Sequence, residues 1–256
     1  MLISFNGLVV REEKSDDYGK YITILSDTRG RVFMSAKGVG SVKNKNSAGC
    51  KMFTYGEFVA YYRDGRYTLK SAAPSHYCIP RDTTLEQLSL ASYFADLADL
   101  FGKGESDTSE LLKQCMNAIY ILYKNDRPRR MLKAIYELRI LCMSGYMPDV
   151  EECAACGEAL SEDAEGYYFC YVDGVFVCKE CPVDPTVKKI FVSSKCISIM
   201  RYVISSPENK AYAIKIPEQT EKEFCIMCEE FLLAQLERKP ESLGFYNTIE
   251  EDNGKF

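Results

Sequence analysis

Four cysteines, arranged as two Cys-x-x-Cys pairs, have the residue type and spacing of a metal site. The pairs are Cys153 with Cys156 and Cys178 with Cys181, and 21 residues separate them. Two thiolates two residues apart can face one tetrahedral ion, and two such pairs complete its shell, as in zinc ribbons and zinc fingers. Because a shell of four thiolates is saturated, the pattern predicts a structural zinc ion rather than a catalytic one, which would keep an open position.

The residues around these pairs support a zinc knuckle over residues 151–182. Gly157 follows the first pair where the backbone must turn tightly, and Asp173-Gly174 is a hairpin dipeptide between two strand-like runs. Cys170 is a possible spare ligand, but its place within a strand-like run favours a packed thiol. Buried or disulfide-bonded cysteines are the alternative interpretation, and they do not account for the paired spacing.

No other residues form a recognisable catalytic constellation. His76 is the only histidine, so Ser-His-Asp and Cys-His chemistry would both depend on this one loop-like position. The sequence has no phosphate-binding Gly-x-x-x-x-Gly-Lys motif, no Gly-x-Gly-x-x-Gly motif, no His-x-Glu of a zinc deaminase and no Lys-x-Asp-Gly of a polynucleotide ligase. We therefore expect a protein that is not an enzyme.

Composition favours a soluble protein of the reducing cytoplasm. The 256 residues are 46% hydrophobic, which is ordinary for a globular chain. No run approaches the roughly 18 apolar residues of a membrane span, and the N-terminus becomes charged too early for a signal peptide. The cysteines outside the two pairs fall singly in apolar segments, which does not resemble a disulfide framework.

The charge is distributed unevenly along the chain. Residues 1–80 hold 12 Lys and Arg against 7 Asp and Glu, a net charge of +5. Residues 81–256 hold 20 against 30, a net charge of −10. Such an asymmetry is typical of a polyanion-binding module joined to a module of another kind.

The strands and helices that would position these residues are predicted to form an α+β protein with two domains. In residues 1–80, five β-rich runs alternate with turn signals, which predicts a basic five-stranded OB-fold barrel, with an SH3-like barrel as the competing fold. Between the third and fourth runs, residues 38–49 predict a mobile basic loop with nothing to pack in the core. In residues 81–256 the periodicity becomes helical, which predicts an all-helical domain with the zinc knuckle inserted. The predicted helices cover 83–102, 109–124, 129–145, 185–206 and 221–239.

Three further groups of residues have both a functional and a structural interpretation. Aromatic residues of the fourth run could stack bases, but strands favour aromatics, so packing is the favoured interpretation. Cys225 and Cys228 lie on an apolar helix face and are expected to be core residues. A basic edge on the third helix is either a solvated face or a site for an acidic partner. The aromatics are Phe53, Tyr55, Phe58, Tyr61 and Tyr62, and the basic edge is Arg127, Arg129, Arg130 and Lys133.

Several segments together resemble the RecO family of DNA repair proteins over nearly the whole chain. The most specific is the run from a helix through Gly-Tyr-x-Pro into Cys-x-x-Cys-Gly. The segments are GLVV (7–10), AKG (36–38), MFTYGEF (52–58), ELRILCMSGYMPDVEECAACG (137–157), GVFVCKEC (174–181) and LERKPESLGF (236–245).

The resemblance implies an OB-fold, a zinc-bearing helical domain and a recombination mediator without catalysis. Such proteins bind single- and double-stranded DNA, anneal complementary strands, pair with RecR, recognise the acidic C-terminal tail of the single-stranded-DNA-binding protein and help RecA load onto gaps. It also implies metal ligation by the four paired cysteines, a role for Lys37 of the AKG motif, and a recurring helix position at Arg139 to which no role is assigned. The loop after AKG is often Arg-rich in relatives, whereas here it has only Lys43 and Lys45.

We therefore predict that basic residues of the barrel follow DNA phosphates and that the basic edge of the third helix receives the acidic tail. The predicted phosphate contacts are Arg31, Lys37, Lys43, Lys45, Lys51, Arg63 and Arg66, and the predicted tail contacts are Arg129, Arg130 and Lys133. The expected location is the cytoplasm, in association with the nucleoid. The alternative is a non-catalytic protein-interaction scaffold that does not bind DNA directly, because a charge of +5 can also be a solvated surface.

Overall fold

The structure, a computed structural model, describes residues 1–15, 18–41, 43–104, 107–124, 128–236 and 238–252. The side chains at positions 208, 209, 251 and 252 are not among the described parts. The prediction made for Arg127 lies outside the described residues.

The chain divides into two compact units. The first comprises Met1–Asn125 with Pro240–Phe256, and the second comprises Asp126–Lys239. This division differs from a boundary at residue 80, because helices that follow the barrel, and the last helix, pack within the first unit. The assignment of functions to residues 1–80 and 81–256 stays a prediction.

Five strands of the first unit form a closed barrel, and all five were predicted. They are β1 (Leu2–Lys14), β2 (Lys20–Ser26), β3 (Arg31–Ala36), β4 (Thr54–Arg63) and β5 (Arg66–Tyr77). Their order around the barrel is β1-β2-β3-β5-β4, with β4 returning to pair with β1. The β3–β5 pair is parallel and the other pairs are antiparallel. This arrangement confirms the predicted OB-fold.

Side-chain alternation fills the barrel with small and branched residues. In β3, Val32, Met34 and Ala36 point inward and are fully buried, while Phe33 between them is exposed. The other strands contribute inward apolar residues to the same cluster. Its further members include Ile3, Phe5, Val9, Ile22, Ile24, Phe58, Ala60 and Ala72.

The segment between β3 and β4 is held against the barrel, so the prediction that residues 38–49 pack nothing in the core is wrong. Val39 is fully buried in the barrel cluster. The Asn46 side chain makes two hydrogen bonds to the backbone of β5. It donates to the Lys70 carbonyl at 3.3 Å and accepts from the Ala72 amide at 3.2 Å. At Gly49 a Cβ atom would stand 2.7 Å from the Ala72 Cβ, so only glycine permits this approach. One apolar residue and one amide side chain thus anchor a segment whose composition suggests a free loop.

Three helices complete the first unit. They are α1 (Leu85–Phe101), α2 (Ser109–Lys124) and α7 (Glu241–Asp252). Helix α1 begins with a capping box in which Thr84 and Gln87 exchange side-chain hydrogen bonds with each other's amides. Helix α7 was not predicted, since the last predicted helix ended at residue 239. Its buried Leu243, Tyr246 and Ile249 recur every three residues and pack against α1.

The second unit combines helices with a small sheet. Its helices are α3 (Arg129–Met143), α4 (Ser194–Ser205), α5 (Glu208–Ala211) and α6 (Glu218–Gln235). Its strands are β6 (Gly166–Cys170), β7 (Val175–Cys178) and β8 (Ile190–Ser193), in the order β7-β6-β8. The predicted helix over 185–206 is therefore wrong in its first half: the run Ile-Phe-Val favours a strand, and β6 offers it an edge to pair with. None of the described helices has the length and apolar character needed to span a membrane.

A buried carboxylate joins α1 to the barrel within the first unit. Asp99 is 1% exposed and forms an ion pair with Arg31 of β3. The Arg11 Nε of β1 lies 3.5 Å from the second oxygen of Asp99. Asp96, one turn earlier, accepts from Arg11 at 2.7 Å and from the Ser242 hydroxyl of α7 at 2.7 Å. Two arginines of the barrel are thus committed to carboxylates of one helix.

Replacing Asp99 with Ala is expected to destabilise the first unit by about 2–3 kcal/mol. A fully buried pair loses about 3–5 kcal/mol when one partner is removed, and here both arginines keep some contact with water, which reduces the loss. The measurement is urea unfolding of the full chain, with the midpoint of each transition compared. Glu110→Ala, at an exposed ion pair with Lys113 of α2, is the control and should change stability by less than about 1 kcal/mol. Equal stability of the two variants would contradict the assigned role of Asp99.

Candidate metal centre and nucleic-acid interface

The four paired cysteines converge on one point. The Sγ atoms of Cys153 and Cys181 are 3.9 Å apart, as are those of Cys156 and Cys178. All four Sγ atoms lie within 4.8 Å of one another. A tetrahedral ion with metal–sulfur bonds of about 2.3 Å requires sulfur–sulfur distances of about 3.8 Å. The cluster therefore fits one tetrahedral metal ion with no ligand position left open.

Backbone hydrogen bonds hold the first cysteine pair against the second. The Gly157 amide donates to the Cys153 carbonyl at 2.8 Å, with Gly157 at a φ of +74°, a conformation that glycine adopts without strain. Cys153 forms a bridge with Phe176 of β7, and the Ala154 amide donates to the Phe176 carbonyl at 2.9 Å. Because β7 ends at Cys178, this contact brings the two pairs together.

The environment of Cys153 favours a thiolate. Its sulfur accepts hydrogen bonds from the amides of Cys178 at 3.3 Å and Ala155 at 3.4 Å. Burial alone would raise the pKa of Cys153, but hydrogen bonds from the backbone amides of Cys178, Cys156 and Ala155 lower the pKa to about 6. Burial, together with the neighbouring sulfurs of Cys153 and Cys156, raises the pKa of Cys178 to about 12. Sulfurs this close repel one another as thiolates, and a divalent cation relieves that repulsion.

The hairpin that carries the second pair rests on aromatic packing. The rings of Phe169 and Phe176 stack at 4.6 Å, and Phe231 of α6 meets Phe169 edge-on at 5.4 Å. The turn at Asp173-Gly174 is formed as predicted between β6 and β7. Arg201 stabilises the segment that carries the first cysteine pair. Its guanidinium donates hydrogen bonds to the carbonyls of Val150 and Leu160.

The remaining cysteines singled out by sequence are packed thiols. Cys170 is 3% exposed and lies outside the four-sulfur cluster. Cys228 is fully buried, and the half-buried Cys225 donates to the Arg130 carbonyl at 3.4 Å, so both belong to the α3–α6 packing. Arg139, which had no assigned role, donates to the carbonyls of Val203 and Ser206 at the end of α4. It therefore stabilises a helix terminus.

Six of the seven predicted phosphate contacts are exposed on the barrel. They are Lys37, Lys43, Lys45, Lys51, Arg63 and Arg66. The seventh, Arg31, is committed to the buried Asp99. Its charge is already compensated, which leaves less of it for a phosphate.

The exposed cations flank the surface formed by β2, β3 and β5. Arg63 and Arg66 border the β4–β5 turn, which approaches β3 because Met34 is paired with Tyr67. The segment with Lys43 and Lys45 runs past the β1–β2 turn, where the Gly40 amide donates to the Tyr18 carbonyl at 2.8 Å. Basic side chains therefore stand at both ends of one strand surface.

The aromatic residues of β4 have different positions from one another. Phe53 and Phe58 are 2% and 1% exposed, so these two cannot stack bases and the packing interpretation is confirmed for them. Tyr55 is half-buried against His76, with ring centroids 5.2 Å apart. Tyr61 and Tyr62 are exposed.

A more suitable aromatic pair was missed by the sequence reasoning. Tyr21 of β2 and Phe33 of β3 are both exposed, with their rings stacked at 5.4 Å and an interplanar angle of 13°. Tyr18, in the β1–β2 turn, is 81% exposed. Alternation along β3, with Val32 and Met34 inward, could have placed Phe33 outside. We call the set of Tyr18, Tyr21, Phe33, Lys37, Arg63 and Arg66 the barrel face.

The predicted tail contacts on α3 are largely engaged within the second unit. Arg130 is paired with Glu221 of α6. Lys133 is 5% exposed, and its ammonium lies 2.8 Å from Glu137 and 2.7 Å from Glu229. Burial lowers the pKa of Lys133, but the two carboxylates outweigh it and raise the pKa above its usual value. These pairs argue against Arg130 and Lys133 as cations for a partner, and a contact at the half-buried Arg129 stays a prediction.

Fold and site together define a class of protein: an OB-fold barrel with an exposed aromatic and basic face, combined with a helical unit that carries a four-cysteine cluster able to hold a metal ion. Comparison with known families agrees with this class. The family model for the recombination protein O N-terminal domain matches residues 1–77, and that for the C-terminal domain matches residues 82–244.

Relatives with this family's name match over nearly the whole chain. The DNA repair protein RecO of Acetivibrio thermocellus is 26% identical over 247 residues, 96% of each chain. That of Clostridium perfringens is 23% identical over 251 residues, 98% of this chain and 99% of the relative. The chain therefore belongs to the RecO family of DNA repair and recombination proteins.

Replacing Cys178 and Cys181 with Ser is expected to abolish metal binding and to lower the thermal midpoint of the second unit by about 10 °C. Two hydroxyls cannot replace thiolates, and metal-binding energy in such sites is folding energy. Elemental analysis of the purified protein and scanning calorimetry measure the two effects. Cys78→Ser with Cys142→Ser is the matched control, since both thiols are half-buried and lie outside the cluster. An unchanged midpoint in the metal-free variant would contradict a structural role.

Proposed function

We propose that this protein is a non-catalytic recombination mediator that binds DNA through the barrel face. The observation that carries the proposal is the juxtaposition of a stacked, exposed Tyr21–Phe33 pair with exposed cations at both ends of the same strand surface. In OB-folds the surface of strands 2 and 3, bordered by the β1–β2 and β4–β5 loops, is the usual oligonucleotide surface. Membership of the RecO family supports the same assignment.

The aromatic pair favours unpaired bases as one ligand. Every base has a flat π-face, so stacking on Tyr21 or Phe33 tolerates any sequence, and each stacked base contributes about 1–3 kcal/mol. A protein that acts at gaps of arbitrary sequence requires this tolerance. Tyr18 in the β1–β2 turn and Tyr61 on β4 are further exposed aromatic residues of the first unit.

The cations account for binding to both single and double strands. Phosphate contacts by Lys37, Lys43, Lys45, Lys51, Arg63 and Arg66 carry no sequence information and do not require an unpaired strand. If about four to six phosphates are neutralised, the log-log slope of affinity against salt is roughly −3 to −5. The same cations reduce repulsion between two complementary strands, so annealing requires no nucleotide hydrolysis.

The four-cysteine centre acts in this function as a structural zinc site. Four thiolates in a tetrahedral arrangement favour zinc among the available divalent ions, and a closed shell leaves no position for substrate or water. The ion stabilises residues 151–165, where only Cys153 and Leu160 are buried and an apolar core is lacking.

The proposed partners are those of the family: RecR, RecA and the acidic C-terminal tail of the single-stranded-DNA-binding protein. The location is the cytoplasm, in association with the nucleoid. In this scheme the mediator binds coated single-stranded DNA, recognises the tail and helps RecA to load. The tail contact is proposed at the start of α3, near Arg129.

Removing the aromatic pair tests the DNA site. Tyr21→Leu with Phe33→Leu is expected to weaken binding of a labelled single-stranded oligonucleotide about tenfold or more, because two stacking surfaces are lost. Arg63→Gln with Arg66→Gln is expected to make the salt slope shallower by about 1–2. Fluorescence anisotropy at several salt concentrations measures both. Tyr120→Leu and Lys103→Gln, at exposed positions on other elements, are the matched controls.

Two results would sink this proposal. One is binding that does not depend on salt, and the other is wild-type affinity in both barrel variants. A wild-type chain that binds no oligonucleotide at all would instead indicate a scaffold that reaches DNA through its partners.

Charge reversal at α3 tests the partner contact. Arg129→Glu is expected to weaken binding of an acidic tail peptide about fivefold or more, since it replaces attraction by repulsion at close range. Isothermal calorimetry with the peptide and the full chain measures the affinity. Lys222→Glu, at an exposed lysine of the same unit, is the control. Equal affinities for both variants would remove Arg129 from the site.

A further inference from the structure

The three-stranded sheet of the second unit exposes an aromatic surface on the side away from its core. Tyr168 of β6 is paired with Phe191 of β8, so the two side chains lie on one face of the sheet. Phe169 and Phe176 occupy the opposite face and pack toward α6. Phe191 is 42% exposed, and its ring meets that of Tyr168 edge-on, with centroids 5.5 Å apart and an interplanar angle of 71°.

Two lysines stand over these two rings. The Lys179 Nζ lies 5.7 Å from the centre of the Phe191 ring, and the Lys189 Nζ lies 5.8 Å from the centre of the Tyr168 ring. Lys179 is also paired with Glu165 at 2.6 Å, but both side chains are largely exposed, so this pair is weak and can exchange partners. Lys188, next to Lys189, is exposed as well. We call Tyr168, Lys179, Lys188, Lys189 and Phe191 the sheet face.

Two cations of the sheet face, Lys188 and Lys189, lie in a basic stretch within the acidic part of the chain. Residues 186–216 hold six Lys and Arg and one Glu, whereas residues 81–256 as a whole carry a net charge of −10. One of the six, Arg201, is engaged with backbone carbonyls inside the unit. The other five are lysines, at positions 188, 189, 195, 210 and 215.

We propose that the sheet face is a second contact surface for single-stranded nucleic acid, distinct from the barrel face. Phe191 and Tyr168 each offer an aromatic surface to a base. Lys179 and Lys189 move from the rings to the adjacent phosphates, and Lys188 contacts a further phosphate. Each nucleotide of a strand has a flat base and a negatively charged phosphate. The sheet face offers aromatic rings for the bases and ammonium groups for the phosphates, only a few ångströms apart. An acidic peptide would use the charges but would leave most of the ring surface unoccupied.

The metal centre is covalently continuous with this surface. Lys179 directly follows the ligand Cys178, and Tyr168 lies on the other strand of the same hairpin, paired with Val177. A metal ion bound to Cys178 would therefore also restrain the backbone of Lys179. In addition to stabilising the fold, the metal centre would then help to position one cation of the sheet face.

The inference rests on the proposed function. A protein that anneals complementary strands must contact two DNA strands at once, which calls for a second binding surface. One surface on the barrel and a second on the sheet, in different units of one chain, would let a single molecule contact two strands or two segments of one strand. The sheet face would then contribute to annealing more than to the binding of a short oligonucleotide.

The experiment uses the full chain and a single-stranded oligonucleotide that carries 5-iodouracil, which cross-links to stacked aromatic rings on irradiation. Mass spectrometry is expected to find cross-links at Tyr168 or Phe191 in addition to those on the barrel face. In parallel, Phe191→Leu with Lys189→Gln is expected to weaken oligonucleotide binding about five- to tenfold when introduced into the Tyr21→Leu, Phe33→Leu background. Phe191→Tyr, which keeps the ring, is expected to restore the cross-link and the affinity.

Matched controls are Phe245→Leu and Lys222→Gln, which remove an exposed ring and an exposed ion-paired lysine elsewhere. Circular dichroism and metal content establish that each variant is folded. Cross-links confined to the barrel, with unchanged affinity in the sheet variants, would overturn this inference and leave the proposed function standing. Loss of acidic-peptide binding without loss of oligonucleotide binding would overturn it too, by assigning the surface to a protein partner. Absence of all cross-links and of measurable affinity in the wild type would reject both proposals.

Discussion

The pleat of a β-strand sends successive side chains to opposite faces, and both surfaces that we propose for nucleic acid depend on this alternation. In β3, Val32 and Met34 fill the barrel while Phe33 stands outside. In β6, Phe169 packs inward against Phe176 while Tyr168 faces outward toward Phe191. A slip of one residue in either strand would bury the ligand-facing ring and expose a core residue. The requirement for a core therefore fixes which aromatic residues remain available for a ligand.

Ion pairs with buried carboxylates determine which cations remain available to bind a ligand. Asp99 engages Arg11 and Arg31, because a carboxylate with 1% exposure is stable only when paired. Lys133 is likewise enclosed between Glu137 and Glu229. Counts of basic residues along the chain therefore overstate the charge that a ligand meets. What remains on the barrel is a smaller set of exposed cations around a strand surface, which is a more specific arrangement than the net charge of residues 1–80 implies.

The four-cysteine cluster lies where the segment has little hydrophobic core. Around the first cysteine pair most side chains are exposed, and the contacts that hold the segment are the sulfur cluster, the amide hydrogen bonds to Cys153 and the bonds from Arg201 to two carbonyls. The small sheet beside the cluster has one aromatic face packed on α6 and another that is partly exposed. The exposed side of that sheet is where Tyr168 and Phe191 lie, so the clamp and the proposed surface share one hairpin.

The sequence by itself determined the elements whose signals are local: the Cys-x-x-Cys pairs, the five strands of the barrel and the turn at Asp173-Gly174. Each depends on residues a few positions apart, so spacing and residue type suffice. Only the tertiary structure decided that β8 is a strand, that α7 is a helix and that Val39 enters the core, because these depend on partners distant in the chain. The same holds for Arg31 and Lys133, because whether a cation is paired is set by what packs beside it, and the residue's own identity does not record that. Alternation could have placed Phe33 outside, but its stacking on Tyr21 depends on the pairing of β2 with β3.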